Sequence, residues 1–85
     1  MRAGAVGAVD LAGLGAPPGG TVVVQFTHPL CSDCQELERR LADGPRPLHT
    51  VDVSSRPDLA RRYHVAVVPT AFVVAGDGTV LERLA

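Results

Sequence analysis

No excess of one charge sign marks this sequence: 8 basic residues stand against 9 acidic ones, for a formal net charge of −1. Proteins that hold nucleic acid or a membrane surface by electrostatics show a clustered basic excess, so both partner classes are set aside. Long apolar runs are also missing, and none approaches the roughly 18 residues of a membrane span. Cysteine is scarce. Two residues cannot build a disulfide framework, and both lie in one Cys-x-x-Cys. Tryptophan is absent. What the chain does have is ordinary globular material, 46% hydrophobic and 20% charged, too apolar for disorder. At 85 residues it is one small domain, burying only about 60–65% of its unfolded surface.

Residues 1–20 differ from the rest, with six Gly, five Ala, two Pro and a single Arg. A secretory leader needs an unbroken apolar stretch, and Asp10 interrupts this one. A frayed tail is a second reading. The third is an edge segment with a short strand over Ala5–Val9, Asp10 as N-cap and a helical turn over Leu11–Leu14, ended by Pro17-Pro18-Gly19-Gly20. Val6, Val9, Leu11 and Leu14 favour the third, because they would otherwise be wasted apolar surface. Residues 21–85 then form the main domain.

Thr21–Phe26 is a β-branched run between turn residues, continuous enough for a central strand covered on both faces. Cys31–Ala42 reads as a helix with Cys34, Leu37 and Leu41 on one face, stopped by Asp43-Gly44-Pro45. Leu48–Val53 is a second strand. Ser55 is the expected N-cap of a short helix with Pro57 in its first turn and Asp58 completing a capping box. Ala71–Ala75 and Thr79–Leu84 flank Gly76-Asp77-Gly78, a hairpin signal. The order β-α-β-α-β-β makes an α/β fold with a mixed sheet: a parallel pair from the strand–helix–strand start and an antiparallel hairpin at the end. No helix follows the hairpin, so one sheet face should be only partly covered.

Cys31-Ser32-Asp33-Cys34 follows a strand and opens a helix. Helix N-terminal N–H groups stabilise a thiolate there, and the thiolate is the nucleophile. Cys34, one turn later on the same face, can resolve a mixed disulfide. Two inert core cysteines are a rival reading. So is a metal site: His28 lies near the pair, but a closed zinc site needs a fourth ligand that no nearby residue clearly supplies, and His49 and His64 fall on other elements. A zinc or copper carrier using the two cysteines alone also stays open.

From Val22 to Leu84 the chain resembles thioredoxin. The points of match are the buried strand ending in Phe26, Cys31-x-x-Cys34 opening a helix, and Tyr63-His64-Val65-Ala66-Val67-Val68-Pro69-Thr70 before a hairpin. The resemblance implies a thioredoxin-like fold, a cis Pro69 beside the cysteines, and a substrate-docking edge of Val68, Pro69 and Thr70. Without it, Pro69 can equally be a trans proline starting an edge strand. The sequence also departs from that pattern. Leu30 stands where an aromatic precedes the first cysteine, Gln25 where a buried acid lies on the central strand, and Arg39 where a proline kinks the helix; the closing helix is missing. An amide cannot accept and return a proton when Cys34 attacks, which leaves resolution to water. Asp33 places a negative charge in the first turn and disfavours the Cys31 thiolate, so the couple should be comparatively reducing; a protonated His28 would offset part of this. A glutathione-dependent relative fits less well, because the Asp77-Gly78 turn belongs to the hairpin.

The resulting expectation is a thiol–disulfide oxidoreductase that reduces protein disulfides. Cys31 is the nucleophile and Cys34 the resolving residue, supported by Gln25, His28, Leu30, Ser32 and Asp33. No cofactor or metal is needed, since the cysteines carry the electrons. Partners are a disulfide-containing protein and a recycling reductase, with no nucleic acid and no membrane, and the chain is a monomer or weak homodimer in the cytoplasm. The rival class is a redox-inactive adapter or soft-metal carrier using the same cysteines.

Overall fold

The computed structural model describes residues 6–16 and 19–85. Its elements run α1 (Leu11–Leu14), β1 (Val22–Thr27), α2 (Ser32–Ala42), β2 (Leu48–Asp52), α3 (Pro57–Arg62), β3 (Thr70–Val74) and β4 (Val80–Arg83). The four strands form one sheet in the order β2-β1-β3-β4. β1 pairs parallel with β2, and antiparallel pairs join β1 to β3 and β3 to β4. The mixed α/β sheet and its element order follow the sequence pattern.

β1 is central because it has no polar face to offer: all five residues from Val22 to Phe26 are buried. Side chains alternate across a strand, so Val22, Val24 and Phe26 enter one core with Val51, Phe72 and Val74. Leu59 and Tyr63, from α3 and its C-cap, close over this face, as do Val9 and Leu14 of the N-terminal segment. The Phe26 ring meets Phe72 edge-on at 6.3 Å between centroids and Tyr63 at 6.1 Å. Val23 and Gln25 project to the opposite face, where α2 lies against β1 and β2. Among the described residues no helix covers the β3–β4 half of that face, and Leu81 and Leu84 stay exposed near it.

The N-terminal segment is fastened at several points. Asp10 caps α1 through its carboxylate, which accepts from the Gly13 N–H. The Asp10 N–H donates to the Tyr63 hydroxyl at 3.0 Å, and His49 Nε2 lies 2.8 Å from the Leu14 carbonyl oxygen. The strand expected over Ala5–Val9 is instead a single antiparallel bridge, Ala8 to Thr79. Ala5 lies outside the described residues, as do Pro17 and Pro18 of the expected breaker. On the described side, pairing stops because the chain turns into α1 at Asp10. The Val9 N–H donates to the Gly78 carbonyl at 2.7 Å. Gly78 has φ 94°, and a side chain there would run into the Val9 carbonyl, so the turn requires glycine.

One local expectation fails. Ser55 does not cap α3: the N-cap is Arg56, which makes no side-chain capping bond. Asp52, at the end of β2, takes both serines first, accepting from the Ser54 N–H and hydroxyl and from the Ser55 hydroxyl. Asp58 likewise forms no capping box but pairs with the Arg56 guanidinium through both carboxylate oxygens.

Candidate redox site

Cys31 occupies the N-cap of α2 with extended backbone (φ −96°, ψ 104°), and its Sγ accepts from the Cys34 N–H at 3.1 Å. The strand–loop–helix order delivers it there. β1 ends at Thr27, the His28 carbonyl accepts from the Cys31 N–H at 3.0 Å, and the helix begins one residue later. Helix N-terminal N–H groups have no partner within the helix, so a sulfur in this place meets positive partial charge. Cys31 and Cys34 form a disulfide with Cα atoms 5.2 Å apart. Their environments are unequal: Cys34 is wholly buried, whereas Cys31 is partly exposed. A partner sulfur can therefore reach Cys31 while Cys34 stays shielded.

The turn before β3 comes to the same place. The Val68 carbonyl oxygen is 3.9 Å from Cys31 Sγ, and the Val68–Pro69 peptide bond is cis. Val68 and Pro69 are half-buried. Thr70 is buried and its hydroxyl donates to the Val67 carbonyl at 2.7 Å, which ties the turn to itself. Val67, 68% exposed, and Leu30, 89% exposed, leave apolar side chains in solvent beside the two halves of the site.

Beneath the disulfide lies Gln25, wholly buried, whose Nε2 donates to the Cys34 carbonyl at 2.9 Å. Its Oε1 is buried and has no hydrogen-bond partner among the described residues, a situation that costs about 1–3 kcal/mol. Ser32 and Asp33 are exposed on the first turn of α2. His28 turns onto its own loop, its Nδ1 accepting from the Leu30 N–H at 3.1 Å. The cysteines, Gln25 and Val68 thus meet at one point, while His28 supports the loop and Leu30, Ser32 and Asp33 form its solvent side. Among the described residues no group of three or more His, Cys, Asp or Glu side chains stands together as a metal cage. His49 is occupied by the Leu14 carbonyl, and His64 is exposed after α3 with φ 55°. A cleft of about 490 Å³ between Val6–Asp10 and Arg62–His64 does not reach the cysteines.

No protein-family model matches the chain, and no curated protein matches it in sequence. Solved structures do. A thioredoxin from Halobacterium salinarum NRC-1 (a point mutant) superposes with a TM-score of 0.66 at 31% identity, over 79% of this chain and 62% of its own. A Fasciola hepatica thioredoxin gives 0.65 at 24% identity, over 88% and 73%. A thioredoxin from Nicotiana alata gives 0.65 at 22%, over 78% and 61%. The chain has a thioredoxin-like fold.

In this thioredoxin-like frame, two features of the site have no counterpart in the sequence reading. Gln35 Nε2 donates to the Pro29 carbonyl at 3.2 Å, bracing the loop from the second turn of α2. A long polar side chain four residues after a helix-opening cysteine is the only available signal, and it is weak. The unpartnered Gln25 Oε1 is the other, since sequence can show an amide on a buried strand but not which of its atoms lacks a partner.

Proposed function

We propose that this thioredoxin-like chain is a thiol–disulfide oxidoreductase that reduces protein disulfides. The observation that carries the reading is the Cys31–Cys34 disulfide at the N-terminus of α2, with one sulfur reachable and the other buried. In the reduced protein, the Cys31 thiolate attacks one sulfur of a substrate disulfide. The substrate S–S bond breaks, and its second sulfur leaves as a thiolate. Cys34 then attacks Cys31 Sγ, breaking the mixed disulfide and releasing the first substrate sulfur. Two electrons pass from the cysteines to the substrate, and the two released thiolates take protons from water. The cysteine pair carries both electrons, so no cofactor enters the reaction.

Val68, Pro69 and Thr70 form the docking edge, where an extended substrate segment lies along the Val68 backbone as an added strand. A second protein, a dithiol reductase, must return the pair to the reduced state. A reducing compartment, the cytoplasm first, suits a pair that acts as a dithiol. No helix among the described residues is long and apolar enough to cross a membrane.

The test is Cys34→Ser incubated with a disulfide-containing protein. Exchange requires a stable mixed disulfide through Cys31, found by mass spectrometry and released by added thiol. If Cys34→Ser traps nothing while the reduced wild type retains zinc or copper(I) stoichiometrically, the cysteines serve a carrier instead.

A further inference from the structure

The two edges of the sheet are finished differently. Beside β4 the N-terminal segment pairs alongside: the Val80 N–H donates to the Gly7 carbonyl and the Val9 N–H to the Gly78 carbonyl. Glu82 and Arg83 add charge to that strand. Cover and charge of this kind blunt an edge against further pairing. β2, at the other edge, pairs with β1 alone, and from Leu48 to Val51 it has no Lys, Arg, Asp, Glu or Pro. The ladder shows which of its backbone groups are left over. The Val23 N–H donates to the Pro47 carbonyl and the Val53 N–H to the Thr27 carbonyl, each at 2.9 Å. Successive residues of a strand turn their backbone groups to opposite sides. Pro47, His49, Val51 and Val53 therefore serve β1, while Leu48, Thr50 and Asp52 face outwards. The Ser55 and Arg56 N–H groups take the Asp52 carbonyl. The N–H and C=O groups of Leu48 and Thr50 have no partner among the described residues. Pro47 lies on the inward side and does not interrupt this edge.

We propose that β2 is a self-pairing edge: two copies of this chain join antiparallel through it, about a two-fold axis beside His49, into one continuous sheet. In that register Leu48 of each copy stands opposite Thr50 of the other, and each such pair exchanges both of its N–H···O=C bonds. A two-fold contact must be complementary to itself. The charges flanking the strand meet that condition, because the same register brings Arg46 of each copy opposite Asp52 of the other. Arg46 is exposed and has no ion pair among the described residues. Asp52 is half-buried, its carboxylate held in place by Ser54 and Ser55. Opposite charges directly across two strands support their pairing, and like charges oppose it. Sliding the register by two residues would set Arg46 against Thr50 or Ser54 and lose both ion pairs, so the charges select one alignment.

His49 meets its counterpart at the axis, and each imidazole stays with its own copy through the Leu14 carbonyl. The pairing leaves the redox site open. The Val68–Pro69 turn leads into β3, on the far side of β1 from this edge, and antiparallel copies carry their cysteines at opposite ends of the joined strands. A strand of 5 residues meeting its copy edge to edge buries less than the standard interface of about 1,200–2,000 Å². The association is therefore weak and shows at high protein concentration.

The experiment is sedimentation equilibrium of the oxidised full chain, whose cysteines are bonded to each other and cannot cross-link copies. The wild type should pass from monomer to dimer below about 1 mM. Arg46→Asp and Asp52→Arg should each weaken the dimer at least about tenfold, since either alone sets like charges opposite. An equimolar mixture of the two places Arg against Asp at both ends again, so it should associate within about threefold of wild type. A second readout needs no variant: the Leu48 and Thr50 amides of the wild type should exchange more slowly with solvent as concentration rises. A wild type that stays monomeric to about 1 mM overturns the proposal. So does a dimer in which these two amides are not slowed, or one whose two folded variants fail to restore each other. Slowing of these amides by an added extended peptide, with the chain itself monomeric, would give the edge to a partner's strand and equally overturn it.

Discussion

The same change, Leu→Ala, should give opposite readouts at two positions. Leu14 in α1 is only 6% exposed and belongs to the core with Val9, Val22 and Tyr63, whereas Leu30 beside Cys31 is 89% exposed. Truncating a buried leucine removes its transfer free energy and leaves a cavity, about 2–5 kcal/mol in general. Leu14 sits on a helix of four residues, which can relax inwards, so the lower part of that range applies, about 2–3 kcal/mol. For a domain of this size each kcal/mol shifts Tm by about 4–8 °C, giving a fall of about 8–24 °C for Leu14→Ala. Leu30→Ala should stay within about 0.5 kcal/mol of wild type while slowing reduction of a protein disulfide, since it strips apolar surface from the reactive edge. Urea unfolding at constant m-value reads stability, and the rate of protein disulfide reduction reads function. The reasoning is refuted if Leu14→Ala costs less than about 0.5 kcal/mol, which would mean the N-terminal segment is not part of the core. It is equally refuted if Leu30→Ala destabilises the chain as much as Leu14→Ala.

Two further predictions concern charge. Asp33 is exposed one residue into α2, where a single charge is worth about 0.3–1 kcal/mol against a neighbouring thiolate. At 30 mV per 1.4 kcal/mol, Asp33→Asn should raise the reduction potential by about 6–20 mV; a fall would reverse the sign of the argument. Stability should also have an acid limb. The Ser54 hydroxyl and N–H, then Ser55, hold the Asp52 carboxyl below its ordinary value, and the Thr79 N–H and side chain do the same for Asp77. A lowered folded-state value favours folding above the unfolded value, and that contribution is lost as pH falls through the folded one. The urea midpoint should therefore drop below about pH 4, and Asp52→Asn should make that drop shallower. An unchanged limb in Asp52→Asn would show that the serine contacts do not persist in solution.

Much of the fold is written in short-range pattern. The β-branched run Val22–Val24, the helix-opening cysteine and the Asp77-Gly78 turn each announce an element from their own neighbours, and the observed elements fall within a residue or so of those positions. The place of the cysteine pair at the start of α2 was legible for the same reason, because four consecutive residues and the strand before them carry it. What stayed hidden depends on partners distant in sequence or on competition between neighbours. Ser55 has the right side chain for a cap, but Asp52 three residues earlier claims it. The Tyr63 hydroxyl meets Asp10 across 53 residues, and His49 meets Leu14 across 35, contacts no local periodicity encodes. Leu37 and Leu41 show the limit of helical periodicity: they share a face with Cys34 yet remain only half-buried, because α2 lies over one half of the sheet.

The most direct test of the account is the reduction potential of the Cys31–Cys34 pair, read by equilibrating the full chain in redox buffers and counting alkylated thiols. A protein-disulfide reductant whose first helical turn carries Asp33 predicts one two-electron transition at or below about −270 mV, the value for thioredoxin. A potential near about −120 mV would make the chain an oxidant, and no intramolecular disulfide at any poise would contradict exchange chemistry altogether.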